Sequence, residues 1–209
     1  MLFAVQIAPG LSFTDIANER VALPDVYQRL VETWILDTAD TLLAGYPPDK
    51  KFSGMAALSL LLQFFEPHAE MLKGHPTPRG HSKNFFCYAF QHFLNEQKTE
   101  SQPSKTKPLP ENIYRWARCG LFHNARLSPN LLVDGLGLRH LPFYKNPGIQ
   151  DGWLVNPAAF SQAIRKYLTN YTNRIKNNPE SEEAKLFNQR MTAVLKEPLD
   201  HFRNNMRHF

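Results

Sequence analysis

Several things are scarce in this 209-residue chain, and each scarcity closes off a class of protein. Two cysteines, Cys87 and Cys119, cannot build a disulfide framework, and both sit in apolar-periodic segments, so buried free thiols in a reducing compartment are expected. Ten glycines against many Leu, Ala, Phe, Asn and Gln disfavour a turn-rich β-protein. No apolar run approaches the ~20 residues that a membrane span requires. The start, Met1-Leu2-Phe3-Ala4-Val5-Gln6-Ile7, has neither a basic leader nor an apolar core of signal-peptide length, so a cytoplasmic protein without a membrane partner is expected. There is no Gly-Lys-Ser/Thr phosphate loop, no Gly-x-Gly-x-x-Gly after a strand and no Gly-x-Ser-x-Gly, so ordinary nucleotide-cofactor and serine-hydrolase chemistry loses support.

What is present is apolar periodicity. The hydrophobic fraction of 43% and 15 Phe belong to a folded chain, and the length suits a single domain spanning 1–209. Residues 1–22 read as an N-terminal arm, extended around Leu2–Ile7. Pro24 and Asp25 open a first helix in which Val26, Leu30, Trp34, Ile35, Ala39 and Leu42 recur at helical spacing. A second helix from about Ser53 is apolar nearly all round through Leu58–Leu62, Phe64 and Phe65, as a central buried element should be, and Pro67 should kink or end it. Ser82 can cap a third helix whose Phe85, Phe86, Ala89, Phe90 and Phe93 form one stripe, read as core.

Residues 98–110 are polar, Pro-punctuated and aperiodic, and read as a mobile loop. Pro110 then starts a helix with Ile113, Tyr114, Ala117, Leu121 and Phe122 as candidates for its inner face. At 128–156 the periodicity changes: Leu131–Val133 and Trp153–Val155 look like short strands around a turn-rich stretch, a hairpin excursion. Asn156-Pro157 opens the C-terminal helices, 157–205, the last broken near its end by Pro198. The expected fold is mainly α, a bundle of about six helices with a small β-hairpin excursion.

Chemistry concentrates in one place. From Lys98 to Arg126 the chain carries six basic and two acidic residues, which supply most of the +5 net charge. Within this stretch, Arg118-Cys119-Gly120-Leu121-Phe122-His123 combines a permanent cation with the side chain that titrates near neutrality. Arg115 precedes it, and Asn124 and Arg126 follow. Cleaving a phosphodiester by its own 2′-hydroxyl needs a base, an acid and cations for the equatorial oxygens, and it needs no metal. At 100° per residue, Arg118 and His123 diverge by ~140° around an ideal helix. One site using both requires the helix to end or tighten near His123, or a second copy of the helix. Gly120, lacking a Cβ, is a candidate crossing point for two such helices in a symmetric homodimer.

An Arg, four to six residues and a His, late in a small helical bundle, resembles the motif of HEPN-domain proteins. These are all-helical, often dimeric domains, many of them metal-independent endoribonucleases of toxin–antitoxin, abortive-infection and CRISPR-linked defence. The resemblance covers about residues 24–176 and is specific only from Tyr114 to Asn124. It implies that Arg118 stabilises the phosphate, that His123 transfers a proton, that RNA is the substrate, that no cofactor is used and that a cognate antitoxin protein is a partner. Arg115, Asn124, Arg126, Lys105 and Lys107 would hold the nucleic acid. Where the family often places a polar residue after the Arg, this chain has Cys119.

Spacing alone is weak evidence, because chance supplies about one such match in a chain of this composition. Arg203-Asn204-Asn205-Met206-Arg207-His208 is a second match, set aside because it follows Pro198 at the chain end. Two other classes stay open: a non-catalytic helical module that binds nucleic acid or a protein through the same basic region, and a structural or regulatory helical protein in which Arg118 is packed shut. His68, His75, His81 and His92 match no compact metal spacing, so no metal site is expected. Asp37 and Asp40, i and i+3 on the first helix, read as a solvated face.

Overall fold

The computed structural model describes residues 6–44, 52–97, 110–121, 126–134, 141–146, 148–149 and 152–206. Strand β1 (Gln6–Ala8) pairs antiparallel with β2 (Leu11–Ser12), and a short helix α1 (Phe13–Ala17) follows directly. The arm is therefore a hairpin and a helical turn, closed by a reciprocal cap: Ser12 Oγ accepts from the Asp15 amide, and the Asp15 carboxylate accepts from the Ser12 amide.

Helix α2 (Leu23–Val31) begins with Pro24 in its first turn. It passes without a break into a π-helical segment, Glu32–Asp37, and then into α3 (Thr38–Ala44). The π-segment corrects the expected inner face. An i→i+5 step inserts one residue into the helical phase, so Leu36 follows Val31 into the core. Trp34 is turned out instead, 62% exposed, with its indole Nε1 donating to the Ile7 carbonyl of β1 at 3.0 Å. Asp37 and Asp40 are not merely solvated either. Together they hold Arg165, each at 2.9 Å.

Helix α4 (Phe52–Gln63) is the expected central element, with Ala57, Leu58, Leu61 and Leu62 essentially inaccessible. The chain breaks at Phe64 and restarts as α5 (Phe65–Lys73). Pro67 thus causes the break without sitting on it: its ring would collide with the carbonyl four residues back, at Gln63, so the first helix ends there. In the first turn of α5 its missing N–H costs nothing. Gly74 ends α5 in the left-handed conformation at φ 72°. Helix α6 (Ser82–Glu96) follows, and its Phe85, Phe86, Ala89, Phe90 and Phe93 are all core, 5% exposed or less. Phe86, Phe90 and Phe93 pack edge-on against Phe65, which stacks on Phe160, at centroid distances of 4.8–5.8 Å.

A short α7 (Pro110–Ile113) leads into a second π-helical segment, Tyr114–Cys119. Beyond it, the expected hairpin is a three-stranded mixed sheet. Strand β3 (Leu131–Val133) pairs parallel with β5 (Trp153–Val155), and β4 (Phe143–Lys145) pairs antiparallel on the other side of β5. Parallel neighbours cannot be joined as a hairpin, and β4 lies between β3 and β5 in the chain. Asn156 caps α8 (Pro157–Asn177) by accepting from the Ala158 and Ala159 amides. Helix α9 (Glu182–Met206) runs through Pro198 rather than ending there, so Arg203 of the second Arg-to-His match does lie on a helix. None of the described helices is long and apolar enough to cross a membrane. The chain is mainly α, as its periodicity indicates, with two small sheets among the described residues.

One polar residue holds the helices in register. His68 of α5 is fully buried, its Nδ1 2.9 Å from the Tyr27 hydroxyl of α2 and its Nε2 2.8 Å from the Tyr167 hydroxyl of α8. The Tyr167 hydroxyl also meets His92 Nδ1 of α6 at 2.8 Å. Burial, then the nearby His92 and Arg174, hold the His68 pKa well below its ordinary value of 6.5.

Replacing His68 by Leu keeps the volume but strands the Tyr27 hydroxyl in the core. The expected loss is about 2–4 kcal/mol, read as a lower denaturant midpoint at unchanged slope. The pH dependence has a fixed sign. His68 stays neutral when folded and is protonated when unfolded, so its contribution is present above the unfolded pKa of about 6.5 and fades as pH falls below it. As pH falls through this range, wild type should lose more stability than His68→Leu, a difference on the order of 1 kcal/mol. Parallel pH profiles for the two proteins would show that His68 is charged in the fold.

Candidate functional site

The basic segment meets the fold at the second π-segment. Pro110 and Ile113 are buried and anchor α7, and Trp116 and Ala117 continue the inner face. The π-register brings residues five apart into contact. The Cys119 thiol lies by the Tyr114 hydroxyl, and burial, followed by that thiol, raises the Tyr114 pKa. The residue after the Arg is therefore engaged within its own helix. The Arg118 guanidinium lies 5.9 Å from the centre of the Tyr114 ring.

Arg118 is packed against α5. Its Nη2 donates to Glu66 Oε2 at 3.2 Å, with both side chains less than a quarter exposed. The other carboxylate oxygen, Oε1, accepts from Ser82 Oγ at 2.5 Å. Three separate elements thus meet in one cluster: α5 through Glu66, α6 through Ser82, and the π-segment through Tyr114, Arg118 and Cys119. Sequence reading missed Glu66 and Ser82, and no local pattern flags a partner 52 residues away. Cys87 of α6 lies half-buried, its thiol pushed up to about 11 by burial and then by Glu111, so it is a poor nucleophile at neutral pH.

The chain then returns on the helix. Described helix ends at Leu121. The Arg126 amide donates to the Gly120 carbonyl at 3.2 Å, and the Ser128 amide to the Trp116 carbonyl at 3.0 Å. This return accounts for Gly120: a Cβ there would lie 2.4 Å from the Arg126 carbonyl oxygen. The close approach is to the chain's own backbone. Gly120 is thereby accounted for within one chain, without a second helix. The ~140° divergence concerns His123, which lies outside the described residues.

Of the residues singled out from sequence, Arg115, Arg118 and Arg126 are described. Arg115 is exposed, with its guanidinium 5.9 Å from the Trp116 ring centre, Arg126 is exposed, and Arg118 is the half-buried member paired with Glu66. His123, Asn124, Lys105 and Lys107 lie outside the described residues. Among the described residues no three His, Cys, Asp or Glu come together as a metal site. Compared with protein-family models, curated proteins and solved structures, the chain matches none.

Gly120→Ala tests the backbone return. Helix propensity alone would favour Ala by ~1 kcal/mol. The contact here is with a backbone oxygen that cannot swing away, so the net effect should be destabilising by about 1–3 kcal/mol. An unchanged or raised melting temperature would show that the Arg126 carbonyl is not seated on Gly120.

Proposed function

We propose that this chain is a metal-independent endoribonuclease of HEPN-like type, with Arg118 and His123 as its catalytic pair. The reading is supported chiefly by the placement of Arg118: a half-buried guanidinium held by Glu66 at 3.2 Å, at a helix end to which Arg126 returns and near which Arg115 stands exposed. Glu66 offsets one of three neighbouring cationic charges, which leaves this end of the helix positive and suited to a phosphate backbone.

In the reaction, the 2′-oxygen of the ribose attacks the adjacent phosphorus as a base removes its proton. The 5′-oxygen leaves as an acid protonates it, giving a 2′,3′-cyclic phosphate and a 5′-hydroxyl. Arg118 counters the charge that develops on the equatorial oxygens. His123, by the family resemblance, moves the proton. Single strands and loops are the preferred substrates because their 2′-hydroxyls can reach in-line geometry. A homodimer in which each chain contributes to the other's cleft, and control by a cognate antitoxin in a defence setting, belong to the same proposal.

Arg118→Lys keeps the charge beside Glu66 but loses the planar fork, and His123→Ala removes the proton carrier. Each should lower the cleavage of a labelled single-stranded RNA in EDTA by ~100-fold or more, with the circular dichroism spectrum retained. If wild-type protein retains RNA on a gel without cutting it, the non-catalytic binding module is the correct reading. Sedimentation at micromolar concentration tests the dimer: a strict monomer that still cleaves overturns the composite site.

A further inference from the structure

We propose that Glu66, braced by Ser82, is the positioning residue for Arg118. The proposal rests on the ribonuclease reading for what Arg118 does, but not for how Arg118 is held. A long arginine side chain on a helix end ordinarily samples many rotamers, and immobilising it has an entropic cost. Here both oxygens of one carboxylate are committed. Oε2 accepts from Arg118 Nη2 at 3.2 Å and Oε1 accepts from Ser82 Oγ at 2.5 Å. Ser82 is the first residue of α6, and Glu66 lies in the first turn of α5. The carboxylate is therefore fixed by two helices before it meets the arginine of a third element.

The surroundings support this role. Glu66 and Arg118 are 22% and 23% exposed, wet enough for a ligand to reach the guanidinium and dry enough for the contact to persist. Tyr114 closes a second side, its ring centre 5.9 Å from the guanidinium carbon. Two further observations on α5 show that this helix is used to hold side chains on other elements. Glu70, one turn on, takes Arg190 of α9 at 2.6 Å and the Thr77 amide at 2.8 Å, while His68 takes Tyr27 and Tyr167. The role assigned to Glu66 is orientation of the planar guanidinium. It neither touches the reacting atoms nor moves a proton.

Positioning and mere charge balance separate in one substitution series. Glu66→Gln keeps the geometry, since its amide oxygen can accept from Arg118 and its amide nitrogen can donate to Ser82, but it removes the charge. Glu66→Ala removes both. With single-stranded RNA as substrate, Glu66→Ala should lower kcat by about 10- to 100-fold with KM changed less than about threefold, and Glu66→Gln should restore kcat to within about threefold of wild type. In the RNA-free protein, the Arg118 Nε–H NMR signal, assigned by its loss in Arg118→Lys, should be sharp in wild type and Glu66→Gln and broadened or shifted in Glu66→Ala. An Arg118 signal unchanged in Glu66→Ala overturns the proposal. So does Glu66→Gln behaving like Glu66→Ala in both readouts, which would make Glu66 a counter-charge only, or a rise in RNA affinity and cleavage in Glu66→Ala, which would make it a competitor of the phosphate. Absence of cleavage by wild type overturns the ribonuclease reading alone, and the Arg118 signal still decides how the arginine is held.

Discussion

A histidine with no access to water lies at the centre of this fold, and the packing of four helices is arranged around its two ring nitrogens. A buried polar group without partners costs far more than a made hydrogen bond contributes. His68 therefore constrains α2, α5, α6 and α8 together: Tyr27 and Tyr167 must reach its two nitrogens, and Tyr167 must also reach His92. The chain of donors and acceptors is consistent in either direction. A neutral His68 donates through one nitrogen and accepts through the other, and each tyrosine hydroxyl can do both. The surrounding aromatic rings, from Phe64 stacked on His68 to Tyr171 edge-on against it, supply bulk burial, while the polar pair supplies register.

The helix that carries His68 also makes two long-range charged tethers. Glu66 and Glu70 are one turn apart on α5, and His68 sits between them on the other side of the helix. Glu70 fastens α9 through Arg190. Burial alone would raise its pKa, but the Thr77 amide and Arg190 outweigh that and lower it. Glu66 fastens the basic π-segment through Arg118. Helix α5 begins just after the end of α4 at Gln63, with Pro67 in its first turn.

Helical phase decided which sequence readings held. The Phe85–Phe93 stripe and the apolar α4 were legible because both helices keep the 3.6-residue period on which the pattern depends. Trp34 was misplaced because the preceding helix changes to an i→i+5 register at Glu32, exchanging it for Leu36. The same change at Tyr114 brings Tyr114 and Cys119, five residues apart, together. Strands β3 and β5 were visible as two apolar triplets. Their parallel pairing, with β4 on the far side of β5, was not, because partner choice is set by the crossover and by what the sheet covers. Gly120 illustrates the same divide: its missing Cβ is plain in the sequence, but the backbone that approaches it is its own at Arg126.

Composition and periodicity by themselves determined a mainly helical chain with a Phe-rich core, the Pro- and Asn-marked helix starts at Pro24 and Asn156, and a concentration of positive charge ending at Arg126. These are properties of single segments, written in residue type and spacing. Tertiary structure alone decided that Arg118 meets Glu66, that Ser82 braces that carboxylate, that His68 bridges two tyrosines 41 and 99 residues away, and that Asp37 and Asp40 close on Arg165. Each is a pairing of charged or hydrogen-bonding groups across distant elements. The strength of such a pairing depends on burial and on ångström-scale separation, neither of which is written in the order of residues.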